Sequence, residues 1–197
     1  MSFGVWNHNI HYHQLVLASI PQDCRCALDV GCGQGMLTRR LAERCQQVIA
    51  IDSDRDVIST ASAGDGLEQN IKFVVGDVMT YPFPDDSFDL IVAVAALHHL
   101  RLRPALTRFR GLLRAGGVLA IVGLYRAETL SDYALCAAAF PVSWALRLFR
   151  GYAEVGASVQ DPQETLSEIR SAWDVLLPGA SLRRQLLFRY FLSWRKP

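Results

Sequence analysis

Three acidic residues stand where short apolar runs give out. Asp52 closes Gln47–Ile51, Asp77 follows Ile71–Val75 and Gly76, and Asp29 lies one residue inside the end of Cys26–Val30. Runs of this kind read as buried strands, and open α/β sheets bind ligands outside the carboxyl ends of their strands. A carboxylate at one tip can accept both hydroxyls of a ribose, and one at the neighbouring tip can accept from an adenine amino group. Asp52 and Asp77 are the candidates for those contacts. Asp29 is the candidate for orienting an amino-acid end of a ligand, directly or through water. Any one of them could be a loop acid or a helix cap, but three at the ends of successive strands read as one site. Gly31, Gly33 and Gly35 follow at once and let backbone approach a ligand, with the next helix aiming its N–H groups at negative charge. The spacing is not the GxGxxG of nicotinamide sites. Met36 stands where the third glycine should fall counting from Gly31, and Thr38 counting from Gly33.

Proton chemistry near neutrality points to histidine. The five histidines fall in two places, His8, His11 and His13 near the start, and His98 and His99 just after the run Phe88–Val94. His98 or His99 is the candidate acid–base residue; being adjacent, at most one points at a substrate while the other packs or caps. Tyr12 or His13 is the candidate for a direct ligand contact from the N-terminal segment. No acidic partner with ligand spacing lies near His8 and His11, so no metal site is expected.

The elements that must position these groups alternate along the chain. Gln14 to Ile20 reads as a short helix stopped before Pro21. Strands are expected at 26–30, 47–51, 71–75, 88–94 and 118–122, and helices at 36–42, from Asp54, and from Pro104 to Leu113. Strands apolar on both faces, separated by helices, predict a parallel sheet covered on both sides. Leu130 to Phe149 is apolar and broken by Pro141, which predicts two short helices over the sheet edge. Asp161-Pro162-Gln163-Glu164 predicts a helix start with Asp161 as N-cap and Glu164 completing a capping box. Leu166, Ile169 and Trp173 form its apolar stripe, and Pro178-Gly179 ends the region. Ser181–Phe188 and Tyr190–Trp194 read as a closing antiparallel pair.

At 197 residues the chain is expected to form one domain. Its parts would be an N-terminal lid (1–20), a core (27–123), a helical covering region (130–178) and a strand pair (181–195). The five cysteines are odd in number and lack zinc-like CxxC pairs, so reduced thiols are expected. With no basic-plus-apolar leader and no long uncharged apolar run, a cytoplasmic protein without a membrane span is expected. The net charge of +1 conceals 6 basic against 12 acidic residues in 1–100, and 14 against 7 thereafter. The arginines of the basic half are scattered rather than interleaved with aromatics, so nucleic acid is not the expected partner.

With these residues in view, the stretch from about Ala27 to Val122 resembles the class I S-adenosylmethionine (SAM)-dependent methyltransferases, in their small-molecule branch. Leu28-Asp29-Val30-Gly31-Cys32-Gly33-Gln34-Gly35 is similar to the family's first motif, Ile51-Asp52-Ser53 to its ribose-binding acid, and Gly76-Asp77-Val78 to its adenine contact. Tyr81 to Val92 resembles the run into strand four. Leu97-His98-His99-Leu100 and Leu113-Arg114-Ala115-Gly116-Gly117 are similar to the segments that follow, with Ala115 in place of the usual proline. The block Asn7 to His13 resembles a subgroup of uncharacterised bacterial methyltransferases.

The resemblance implies a Rossmann-like, doubly wound α/β fold whose seven-stranded sheet is mostly parallel with an antiparallel C-terminal strand. It implies SAM as cofactor. Gly31, Cys32 and Gly33 would hold the methionine end, Asp52 and Ser53 the ribose, and Asp77 and Val78 the adenine. Asp29, Val94, Ala95 and Tyr12 would line the rest. Ala95-Ala96-Leu97-His98 stands where methyltransferases of exocyclic base amines resemble one another in an Asn/Asp-Pro-Pro-Tyr motif, which disfavours such an acceptor. Tyr133, Phe140, Trp144 and Phe149 lie where the family inserts substrate-covering elements. A small apolar or aromatic acceptor is the expectation that follows. A non-catalytic SAM-binding partner subunit and an NAD-dependent oxidoreductase are the alternatives.

Overall fold

The computed structural model describes residues 8–63, 69–133, 137, 161–186 and 188–197. The elements run α1 (His8–Leu17), β1 (Cys26–Val30), α2 (Met36–Ala42), β2 (Gln47–Asp52), α3 (Arg55–Ser62), β3 (Ile71–Val75) and β4 (Phe88–Val94). A 3₁₀ turn (Leu97–His99), α4 (Leu102–Leu112), β5 (Leu113–Leu124), α5 (Leu166–Leu176), β6 (Ser181–Gln185) and β7 (Arg189–Arg195) complete them. The strands form one seven-stranded sheet in the order β3-β2-β1-β4-β5-β7-β6. β1 to β5 are parallel, while β7 runs antiparallel to both β5 and β6. The doubly wound, mostly parallel sheet is thus as expected.

Alternation along the strands sends side chains to two cores. Leu28 and Val30 of β1, Ile91 and Ala93 of β4, and Leu119 and Ile121 of β5 pack with Leu106 and Phe109 of α4 and Ile169 and Trp173 of α5. Ala27, Leu90, Val92, Val118 and Ala120 face the other way, against Tyr12 and Val16 of α1 and Leu37 and Leu41 of α2. Residues buried on both faces are what a parallel sheet covered on both sides requires. The strand order reverses between β1 and β4, so a crevice opens there at the carboxyl ends, as in other doubly wound sheets.

Several boundaries differ from the sequence expectation. α1 covers His8–Leu17 rather than Gln14–Ile20, so the histidine block lies within the first helix. α4 starts at Leu102, with Pro104 in its first turn, where the missing N–H costs no intrahelical bond. β5 begins at Leu113 because Leu113 pairs with Phe88; the register then shifts, and Val118 pairs with Leu90. The expected capping box exists one turn later. Thr165 is the N-cap, its hydroxyl accepting from Glu168 N–H, while the Glu168 carboxylate accepts from Thr165 N–H at 2.8 Å. Asp161 to Glu164 therefore precede the helix. β6 stops at Gln185, and Phe188, at φ 55°, belongs to the turn into β7. Cys24, Cys26, Cys32 and Cys45 are free thiols. The helices expected within 130–149 fall almost wholly outside the described residues, as do Cys136, Phe140, Trp144 and Phe149; only 130–133 and 137 are described there, all helical. No helix among the described residues is long and apolar enough to cross a membrane.

Candidate active site

The turn after β1 is held open by backbone that only glycine adopts cheaply. Gly31 and Gly33 have φ of 66° and 54°. A Cβ on Gly31 would lie 2.5 Å from the Cβ of Ala96, across the crevice, whereas a Cβ on Gly33 would meet nothing within 4 Å. Gly31 therefore closes the gap between the β1 and β4 tips, and Gly33 borders open space. Opposite Gly31, Ala95 also has a left-handed φ of 53°, a strained conformation for a residue with a Cβ, and its N–H donates to Val122 O at 2.8 Å. Val94 and Ala95 are half-buried on that wall.

Asp52 stitches the first three strand tips together. Its Oδ2 accepts from Gly33 N–H and its Oδ1 from Asp54 N–H, each at 3.0 Å, while its main-chain carbonyl accepts from Gly76 N–H at 2.8 Å. The carboxylate has about four lone-pair sites, so acceptor capacity is left over. Ser53 beside it is exposed. Asp77 is exposed too, with Oδ1 accepting from Met79 N–H at 2.9 Å and its carbonyl accepting from Tyr81 N–H. Val78 turns inward, 5% exposed.

Asp29 lies beneath the turn and is 2% exposed. Its Oδ2 accepts from the Thr38 hydroxyl on α2 at 2.6 Å. Burial, opposed by that hydrogen bond and reinforced by the Asp52 charge, pushes its carboxyl up to about 7. Cys32 packs with Ala50 and Ile58, and burial together with Asp29 and Asp52 drives its thiol far above the usual range. It is a buried, neutral thiol. Thr38 is the participant that sequence reading missed; the available signal was a hydroxyl in the first turn of the helix that follows the acidic strand.

His98 and His99 form the last two residues of the 3₁₀ turn, their rings 4.0 Å apart. His98 is half-buried with Nδ1 unpartnered, and burial, His99 and Arg189 lower its imidazole to about 4. His99 is exposed. Tyr12, on α1, is 4% exposed and donates from its hydroxyl to Leu186 O at 3.0 Å, linking α1 to the β6–β7 turn. His13 is 5% exposed, and burial lowers it to about 4. The hairpin topology brings the β6–β7 turn to the same end of the sheet as the glycine turn. There the Phe188 ring packs edge-on against Tyr125 and Tyr133; Tyr133, and Leu186 in the turn itself, are exposed apolar residues. The sequence reading did not include this turn in the site.

Residues 28–121 match the family model described as Methyltransferase domain. An uncharacterized methyltransferase of Mycobacterium tuberculosis is 39% identical over a 203-residue alignment covering 98% of each chain, and so is one of Mycobacterium bovis. The chain belongs to the SAM-dependent methyltransferases. Among solved structures, the YcgJ protein of Bacillus subtilis superposes with a TM-score of 0.66 at 26% identity, over 89% of this chain and 71% of that one. A phosphoethanolamine N-methyltransferase 2 of Haemonchus contortus, in complex with SAM, shares the fold with a TM-score of 0.66 at 17% identity, over 89% and 38%. Family membership removes the nicotinamide alternative, as the glycine spacing anticipated. SAM is the cofactor of this methyltransferase, and the donor set fits it: open space at Gly33, spare carboxylate acceptors on Asp52 and Asp77, and a buried Val78 beside them.

Proposed function

We propose that this methyltransferase methylates a small apolar or aromatic molecule, holding SAM across the tips of β3, β2, β1 and β4. In this reading Asp52 and Ser53 receive the ribose, Asp77 and Val78 the adenine, and Gly31, Cys32 and Gly33 the methionine end. Val94 and Ala95 line the crevice, Asp29 supports the amino-acid end from below the turn, and Tyr12 closes the site from α1. The observation that carries the reading is the left-handed glycine turn facing open space, with the Asp52 carboxylate beside it. Bound SAM supplies a methyl group that is already electrophilic. The chain has then to position the acceptor, exclude water and, for oxygen or nitrogen acceptors, take a proton.

His98 or His99 is the proton acceptor in this reading. His98, lowered to about 4, stays neutral through the physiological range and keeps a free ring nitrogen. The apolar character of the acceptor is supported by the contacting rings of Tyr133 and Phe188 beyond the β5 and β7 ends and by the exposed Leu186 in the β6–β7 turn. The cofactor half is tested by calorimetry on Asp52→Ala. SAM affinity should fall by at least a hundredfold while the circular dichroism spectrum is retained; unchanged affinity removes Asp52 from the site. The acceptor half is tested by a methyl-transfer screen over phenols, quinones, amines and carboxylates with labelled SAM. Labelling confined to charged, non-aromatic acceptors overturns the apolar reading.

A further inference from the structure

We propose that cofactor binding is coupled to the release of one proton from Asp29, so that the free protein holds this acid protonated and the bound protein holds it ionised. The inference rests on the cofactor site proposed above. Asp29 is 2% exposed, between the sheet and α2, and makes one hydrogen bond, to Thr38. Its second oxygen accepts none among the described residues. A carboxylate in this position has lost its water and received a single donor in return, an arrangement that favours the neutral acid.

The surrounding charges act in the same direction. Asp52, from β2, is tied down by two backbone N–H groups and repels a second negative charge. Cys32, from the turn, is a neutral thiol. On α2, Arg39 turns away, donating to Gln34 O and to Ala61 O of α3. On α1, His13 is lowered to about 4, in part by Arg40, and so brings no positive charge near neutrality. Among the described residues no cation contributes to the proton affinity of Asp29, which stands at about 7. The amino-acid end of the cofactor carries an ammonium group, and an α-amino group keeps its proton below about 7.7. Its arrival over the glycine turn supplies the missing positive charge, lowers the proton affinity of Asp29, and sends the proton to solvent. The cofactor is thereby bound more tightly as pH rises toward 7.

The test is calorimetric titration of the whole protein with S-adenosylhomocysteine, which carries the same ammonium and cannot react. It is run at pH 6.5 in two buffers of different ionisation enthalpy. About 0.8 proton should be released per bound ligand, and affinity should tighten about eightfold between pH 5.5 and 6.5. Asp29→Asn should abolish the release and flatten the pH dependence, which separates Asp29 from the exposed His99. Thr38→Val, which removes the one donor favouring the ionised acid, should move the release to higher pH and serves as the second variant if Asp29→Asn does not fold. Binding without proton release, or release that persists in Asp29→Asn, overturns the linkage and leaves the cofactor site standing. Absence of any binding at millimolar ligand overturns the site and the linkage together.

Discussion

Gly33 and Gly116 share a backbone conformation and differ in what surrounds them. Their φ values are 54° and 76°, and neither would bring a Cβ within 4 Å of another atom. Alanine at either position should therefore cost about 1–2 kcal/mol of stability from left-handed strain alone. Only at Gly33 does the added methyl enter the space assigned to the cofactor. Gly33→Ala should lower SAM affinity by more than tenfold, while Gly116→Ala, in the irregular start of β5, should leave affinity unchanged at a similar loss of thermal stability. Equal affinity losses in both variants would mean that the turn responds to strain and not to occupancy. Gly31 belongs to a third class. Its Cβ would collide with Ala96 at 2.5 Å, so Gly31→Ala should distort the crevice and reduce folding as well as binding.

At the scale of the element, helix α5 separates what sequence pattern conveys from what it leaves open. The capping motif was legible as a type, an N-cap residue with glutamate three positions on, but two consecutive versions exist, Asp161 with Glu164 and Thr165 with Glu168. The choice is made by packing. Starting at Leu166 lets Ile169, Ala172 and Trp173 meet the core, and Arg126 N–H takes up the Glu164 carbonyl just outside the helix. Thr165→Ala should accordingly cost about 1 kcal/mol in urea denaturation, and Asp161→Ala should be neutral; the reverse ranking would restore the earlier start. The five parallel strands were legible for the opposite reason. β1, β4 and β5 from 117 to 123 are buried or half-buried on both faces, so their apolar runs leave no second register, whereas the edge strand β3 was legible from its apolar run and the Gly76 that ends it. Helix α1 was legible over 14–17 but not at its start, because histidines and asparagine mask the beginning of its pattern, and Tyr12, Val16 and Leu17 become an apolar stripe only once the sheet is there to receive them. Within the site, the acids and glycines followed from strand ends, whereas the β6–β7 turn meets Tyr12 across 174 residues of chain and is a neighbour only in three dimensions.

Stability as a function of pH belongs to the whole molecule, because buried groups of opposite type compete in it. His13 and His98 are lowered to about 4 from an ordinary value of 6.5, chiefly by burial. Between pH 4.5 and 6 the unfolded chain therefore binds about one and a half protons that the native state refuses. Asp29 opposes them. Its native proton affinity, about 7 against 3.8 unfolded, means that in the same window the native state holds one proton the unfolded chain has lost. The difference is somewhat less than one proton in favour of the unfolded state, so the stability of the free protein should rise by about 1 kcal/mol per pH unit from 4.5 to 6. Replacing Asp29 by Asn removes the opposing group and should steepen the rise to about 2 kcal/mol per unit, read from urea midpoints at a constant m-value. Saturating S-adenosylhomocysteine should steepen the wild-type slope toward the same figure, because an ionised Asp29 in the complex no longer retains its proton. A slope in the free Asp29→Asn variant equal to that of the wild type would show that the acid beneath the glycine turn is ionised in the free protein.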